Sequence, residues 1–324
     1  MQDLILHMGL CPGDTVAMTA AVRDLHLAHP DKFRTDVRTT AKELWDHNPY
    51  ITPLKDDDPN VRRVEMHYDM IHQSNTGAVH FLHGFICHLE RELGLRIPVT
   101  QFKGDIYLSD QEKRWTNQVA EPKIGWTRDF WIMMAGGKYD VTCKWWDPAR
   151  YQAVVDFFEG KIQFVQCGEV GHRHPPLRGV INLVGKTTTR QFTRLMYHAV
   201  GVVCPITFAM HLAAAVPMKP GRSKNRPCVV VAGGREPLQW VAYPHHRVLA
   251  VNGALPCCDQ GGCWKSKCET VQGWEQRSDT CRHPVTVSPT LAIPRCMDMI
   301  AVDDVCRAID QYHCGGVCRY LDGS

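Results

Sequence analysis

Short apolar runs and helix-spaced apolar positions take turns along the chain. Leu4-Ile-Leu-His-Met8 reads as a buried strand, and Gly9-Leu-Cys-Pro-Gly-Asp14 as the turn that follows it. From Thr15 the spacing becomes helical, with Val16, Ala20, Val22, Leu25 and Leu27 ahead of His29-Pro30, and Phe33-Arg-Thr-Asp-Val37 is the next strand. Strand, helix and strand in this order predict a parallel pair with a right-handed crossover. His80–Leu95 predicts a second amphipathic helix, ended at Gly94.

The alternation starts again after a break at Asn117–Asp129. Phe130-Trp-Ile-Met-Met134 is a buried strand, Ala135-Gly-Gly-Lys138 opens a loop, and Asp147-Pro148 caps the next helix. Strands follow at Gln163–Gln166, Val180–Val184, Val202–Cys204, Cys228–Ala232 and Arg247–Val251, with helices at Thr187–Val200 and His211–Val216. The class is therefore α/β. The expected architecture is two Rossmann-like halves, residues 1–127 and 128–324, facing each other. Sheets of this kind bind ligands beyond the carboxyl ends of their strands.

Composition narrows the function. Hydrophobic residues make up 44% and charged residues 22%, ordinary for a globular protein. With 37 basic against 34 acidic side chains, the chain lacks the basic excess of a duplex-binding protein. Lys219-Pro-Gly-Arg-Ser-Lys-Asn-Arg226 is its one basic cluster, in a surface loop. The apolar stretch Met196–Met218 is broken by His198, Pro205, His211 and Pro217, so no integral membrane segment is expected. The opening residues lack a basic stretch and a signal-length apolar run. A cytoplasmic, reducing setting is expected, in which the 15 cysteines act as buried small hydrophobes or metal ligands.

Four constellations could carry chemistry. Asp14, in Gly13-Asp14-Thr15, stands between a strand end and a helix start, where it serves either as a general base or as a plain helix cap. Gly136-Gly137-Lys138, with Lys144 ahead of Trp145-Trp146, offers point charges for phosphate, or solvated lysines. Gly185-Lys-Thr-Thr-Thr-Arg190 opens a helix and could seat a diphosphate on free N–H groups, or be an ordinary threonine-capped helix. Cys257, Cys258, Cys263, Cys268, Cys281 and Cys296 have the density of a structural thiolate site for Zn or Fe. Cys263, Cys268, Cys281 and Cys296 are the first choice, with Cys258 or Cys257 as substitutes; the alternative is a set of reduced core cysteines. The 17 histidines include no H-E-x-x-H, and no G-x-S-x-G elbow is present.

Taken in order, these pieces resemble glycosyltransferase family 9, the ADP-heptose:lipopolysaccharide heptosyltransferases, and within it the autotransporter heptosyltransferase branch. The resemblance rests on Gly13-Asp-Thr-Val-Ala-Met-Thr-Ala-Ala-Val-Arg-Asp-Leu, Lys144-Trp-Trp, Gly185-Lys-Thr-Thr, His211-Leu-Ala-Ala-Ala, Ala232-Gly-Gly-Arg-Glu-Pro and Cys263-Trp-Lys-Ser-Lys-Cys268 with Cys296-Met. It implies a GT-B fold, a donor site mainly in the second domain, and inverting transfer without a catalytic metal. Asp14 would be the general base. Gly13, Lys144, Gly185, Thr187, Thr188 and His211 would line the nucleotide-sugar site, and Glu169 would meet the donor's ribose or base. The cysteine segment, residues 257–296, would be a metal finger holding iron or zinc, and the donor would be ADP-heptose. The acceptor, glycan or protein, stays open, and an oligomer is compatible with the resemblance. Two departures stand out. The family's Asp-Thr-Gly ahead of the late histidine is replaced here by Cys204-Pro-Ile-Thr-Phe-Ala-Met-His211, and the extra N-terminal domain of the autotransporter enzymes is not matched. The competing expectation is a non-catalytic nucleotide-sugar or metal-binding module of the same fold.

Overall fold

A computed structural model describes residues 1–264 and 281–324. In the first unit, β1 (Gln2–Met8) leads into α1 (Pro12–Ala28) and on to β2 (Phe33–Thr39), and β3 (Arg62–Glu65) returns to the other side of β1. The sheet is parallel, in the order β2-β1-β3. Pro12 at the first turn of α1 supplies a preset φ and no unpaired N–H. Nearly every side of this helix is buried, through Val16, Met18, Ala20, Ala21, Val22 and Leu25, because it lies between the sheet and later helices. Helix α2 (Phe81–Leu93) ends at Gly94, whose φ of +65° is the left-handed turn that glycine adopts without penalty. Short α3 (Asp110–Arg114) is closed by a reciprocal Ser109–Glu112 capping box.

The second unit carries the larger sheet. Strands β4 (Trp131–Met133), β5 (Phe164–Gln166), β6 (Ile181–Asn182), β7 (Gly201–Pro205), β8 (Cys228–Gly233) and β9 (His246–Ala250) are parallel in the order β6-β5-β4-β7-β8-β9. The chain leaves β4 on one side and returns to it on the other, so a topological switch lies between β4 and β7. The crevice of such a sheet opens at that point. Helices α4 (Pro148–Phe157), α5 (Thr189–His198), α6 (Phe208–Ala215) and α7 (Leu238–Val241) connect the strands. After a hairpin, β10 (Pro284–Ser288) and β11 (Leu291–Pro294), come α8 (Arg295–Asp298) and the terminal α9 (Val302–Cys314). The result is the GT-B arrangement of two Rossmann-like units. Helix α5 starts at Thr189, two residues later than its apolar spacing suggests, and α6 starts at Phe208, three residues before His211. Strand β3 and the hairpin come from segments with no clear period in the sequence, and α9 is not among the expected helices although Val305, Ala308, Ile309 and Tyr312 are helically spaced.

One apolar cluster runs through both units, from Leu4, Met18 and Phe85 to Leu212, Val230 and Trp240, and it holds the halves together. Polar ties reinforce it. Arg190 on α5 grips Glu112 on α3 with two 2.7 Å bonds and donates at 2.8 Å to the Tyr107 carbonyl. Removing the half-buried guanidinium leaves buried Glu112 with the Ser109 N–H and His47, so Arg190→Ala should lower unfolding free energy by about 2 kcal/mol in urea titration. A loss under about 0.5 kcal/mol, the size of an ordinary surface substitution, would show that this pair does not join the units.

Among the described residues no helix is long and apolar enough to cross a membrane. Cys167, Cys204, Cys228, Cys258, Cys296, Cys306 and Cys318 are buried thiols.

Candidate active site in the interdomain cleft

Asp14 is set by the chain's first turn. The burial of β1 fixes the strand, Pro12 starts the helix, and Asp14 falls at its third position. There its Oδ2 accepts the Cys11 backbone N–H at 3.0 Å, so Asp14 closes the helix start from the third position, while the cap position itself is Cys11. The carboxylate does more than cap. Burial pushes its pKa up to about 6, against the opposing pull of the Cys11 N–H and of the Lys144 and Lys138 charges from the second unit. A carboxyl poised near neutrality in a cleft is suited to taking a proton.

The two lysines whose charges act on it follow β4. Gly136 carries a φ of +155°, and a side chain there would strike the Arg173 carbonyl at 1.7 Å, so only glycine allows this loop to fold back. Lys138 Nζ sits 3.6 Å from Cys11 Sγ, directly across the cleft. Lys144 Nζ donates at 3.0 Å to the Ile206 carbonyl, just past β7, and pairs at 2.8 Å with Glu236 just past β8. Its ammonium is therefore held at the switch point between β4 and β7. Glu236 is buried and also pairs with Arg235. Burial alone would raise the Glu236 carboxyl, but Arg235 and Lys144 bring it below its usual range.

Sequence reasoning did not assign Glu236 a role. The signal was there, since Arg235-Glu236 follows the continuous apolar run Cys228–Ala232. Charged residues directly after a buried parallel strand fall on the ligand-binding edge of the sheet. Two tyrosines were missed as well. Burial and then the Asp14 charge both drive the Tyr68 and Tyr243 hydroxyls upward, which keeps them protonated.

His211 is turned inward. It is buried on α6, its Nδ1 shares a 2.7 Å hydrogen bond with the Tyr243 hydroxyl, and its ring lies against Gly13. A Cβ on Gly13 would meet His211 Cδ2 at 3.0 Å. Burial lowers the His211 pKa to about 3, leaving a neutral ring that packs α6 against the turn holding Asp14.

The remaining expected donor contacts line the same carboxyl edge. Glu169 follows β5 and is exposed, with His172 Nε2 at 3.6 Å. Gly185, at φ +69°, turns the chain after β6. Thr188 caps α5, its hydroxyl accepting the Gln191 N–H at 3.2 Å while the Gln191 side chain returns the bond at 2.9 Å; half-buried Thr187 precedes it. The threonine-capped reading is thus realised at Thr188. Among the described residues no hydrogen bond or ion pair links Thr187 or Thr188 to Lys144 or Asp14.

The cysteines gather where β8 ends. A Cβ on Gly234 would meet Cys258 Sγ at 2.9 Å and Cys296 Cβ at 3.5 Å, so two glycines allow thiols to crowd the strand end that leads to Arg235-Glu236. Burial raises the Cys296 thiol to about 11, and Cys281, Cys257 and Cys258 add to the rise. Cys263 donates its backbone N–H to the Gly234 carbonyl at 3.3 Å. Cys268 lies outside the described residues. Among the described residues no three metal-ligating side chains converge closely enough to hold an ion. The donor chemistry, all thiol and half-buried, is nonetheless that of a structural zinc or iron site.

Compared with solved structures, the chain matches a glycosyltransferase of family 9 from Veillonella parvula at a TM-score of 0.65 and 14% identity, over 96% of each chain. It matches the ADP-heptose lps heptosyltransferase II of E. coli at 0.60 and 13%, over 97% of this chain and 99% of that one. The iron-containing dodecameric glycosyltransferase TibC from enterotoxigenic E. coli matches at 0.62 and 15%, over 97% of this chain and 77% of that one. The chain shares the fold of these glycosyltransferases. No family model matches the sequence, and no curated protein matches it.

Proposed function

We propose that the protein is an inverting glycosyltransferase of the family 9 type, moving a sugar from a nucleotide diphosphate to an acceptor hydroxyl. One observation carries this reading. Asp14, with its pKa near 6, faces two lysines across an interdomain cleft, in a fold shared with heptosyltransferases over nearly the whole chain. In this mechanism the acceptor hydroxyl gives its proton to Asp14 as its oxygen attacks the anomeric carbon. The bond from that carbon to the diphosphate oxygen breaks on the opposite face. The electron pair leaves with the diphosphate, whose growing charge meets Lys144 and the N–H groups at the start of α5.

Gly13 and His211 keep the Asp14 turn seated, and Glu236 and the Ile206 carbonyl keep the Lys144 ammonium in place. Gly185, Thr187 and Thr188 would meet the phosphates, and Glu169 the ribose or base. ADP-heptose is the donor we favour, since TibC is known in complex with ADP-D-beta-D-heptose. A titration of purified protein with a panel of nucleotide-sugars tests this. Selective binding of an ADP-sugar is expected, and binding of no donor would overturn the reading.

We further propose that the thiols of residues 257–296 hold a structural iron or zinc, through Cys263, Cys268, Cys281 and Cys296, with Cys257 or Cys258 able to substitute. TibC is iron-containing. The metal would pin the segment against the Gly233-Gly234 strand end, and through it Arg235-Glu236. Protein purified under reducing conditions should carry iron or zinc, and Cys296→Ser should lower metal content and melting temperature together. Metal-free wild-type protein would remove the proposal.

A further inference from the structure

At the opposite end of the second sheet, away from Asp14, a cavity of about 210 Å³ lies between the two units. Gln101, Phe102 and Lys103 of the first unit form one wall. The other is formed by Lys224, Asn225 and Arg226 ahead of β8 and by Tyr243, Pro244 and His246 at the start of β9, with Ala214 at the end of α6. The wall contains no aspartate or glutamate.

Its chemistry is one-sided. Arg226 is 2% exposed, yet among the described residues it has no carboxylate partner. Its terminal nitrogens are spent on carbonyls, Ala199 at 2.9 Å and Pro217 at 3.1 Å among them, and on Met218 Sδ at 2.8 Å. Its Nε and the Nδ1 of His246 are both buried with no hydrogen-bond partner among the described residues. Buried polar atoms are rarely left in this state. Burial lowers the Lys103 pKa, and the Lys224, Arg23 and Arg226 charges lower it further against the pull of Asp105. That carboxylate lies outside the cavity wall and is shared with Arg23, which bonds it at 3.0 Å and also pairs with Asp24. A buried arginine without an acid partner, beside two lysines in a cavity whose wall carries no carboxylate, favours an anion there.

We propose that this cavity is a binding site for a phosphate-class anion, either inorganic phosphate or the phosphate of a small monoester. It is smaller than the roughly 300–1,000 Å³ of sites for drug-sized ligands, which favours a compact anion over a whole nucleotide. Lys224, Asn225 and Arg226, the end of the basic cluster 219–226 that the cleft does not use, line it. Tyr243 lines the cavity and also holds His211 against the Asp14 turn, so an anion bound here touches the same packing that seats the carboxylate. The proposal does not depend on the nature of the reaction in the cleft.

The test is the melting temperature of the full protein titrated with sodium phosphate, against sodium chloride at matched ionic strength. Wild type should show a saturable rise. Lys103→Gln/Lys224→Gln, which leaves the Arg226 bonds intact, should lose it or need at least tenfold more phosphate. Lys144→Ala, altered only in the cleft, should keep it. A parallel titration with glycerol 3-phosphate separates the sources: a rise at lower concentration assigns the site to a monoester, and a rise with inorganic phosphate alone assigns it to the free ion. No rise with either, an unchanged rise in the double variant, or a rise lost only in Lys144→Ala would overturn the proposal.

Discussion

Asp14→Asn is expected to lower sugar transfer by about 10²–10⁴-fold, the range that a positioned general base contributes, while donor affinity changes little. The asparagine oxygen can still accept the Cys11 N–H, so the turn should survive. Wild-type activity should fall as pH drops through about 6, where Asp14 takes up its proton. The same substitution should act on stability in the other direction. Asp14 binds its proton more tightly in the folded chain, at about 6, than at its ordinary value of 3.8, so its ionised form costs stability above that window. Asp14→Asn should therefore be more stable than wild type at pH 8 by about 1–3 kcal/mol, at roughly 1.4 kcal/mol for each tenfold gain in proton affinity, and the gain should shrink toward pH 4. Unchanged turnover would remove Asp14 as the base. An unchanged pH 8 stability would show that the cleft does not desolvate it.

Lys144→Ala should raise the dissociation constant for a nucleoside diphosphate about 10–100-fold, since a charge-assisted hydrogen bond is worth about 1.5–3 kcal/mol. The melting temperature should fall too, because buried Glu236 then keeps only Arg235 as a cationic partner. Both changes follow from one geometry, a lysine fixed by a carbonyl and a carboxylate with its remaining hydrogen free for a ligand. Calorimetric titration with ADP reads the first effect and thermal unfolding the second. An unaltered dissociation constant would place Lys144 outside the donor site.

Much of this was legible in the sequence, for identifiable reasons. Parallel strands buried on both faces read as continuous apolar runs, which located β1, β4, β7 and β8. Gly94 and Asp147-Pro148 marked helix ends through local backbone chemistry. Strand β3 was not legible, because Arg62-Arg-Val-Glu65 buries only Val64 and its pairing with β1 is decided at long range. Helix α9 was passed over amid scattered cysteines, although Val305, Ala308, Ile309 and Tyr312 form its buried face.

The site divided in the same way. Asp14 and Lys144 stood in local motifs. Glu236, Tyr68 and Tyr243 matter through neighbours far away in the chain, and so does His211, whose ring meets Tyr243 and Gly13. Local spacing could not separate the cap and base readings of Asp14; the structure shows the carboxylate on the Cys11 N–H and under the influence of both lysine charges, and the base role is the one we propose.

The most direct test is to incubate the purified protein with ADP-heptose and follow the nucleotide products by mass spectrometry, with Asp14→Asn alongside. Slow release of ADP by wild type, lost in Asp14→Asn, is the predicted result. Tight binding with equal release by both proteins, or no binding and no release at all, would contradict Asp14-based sugar transfer.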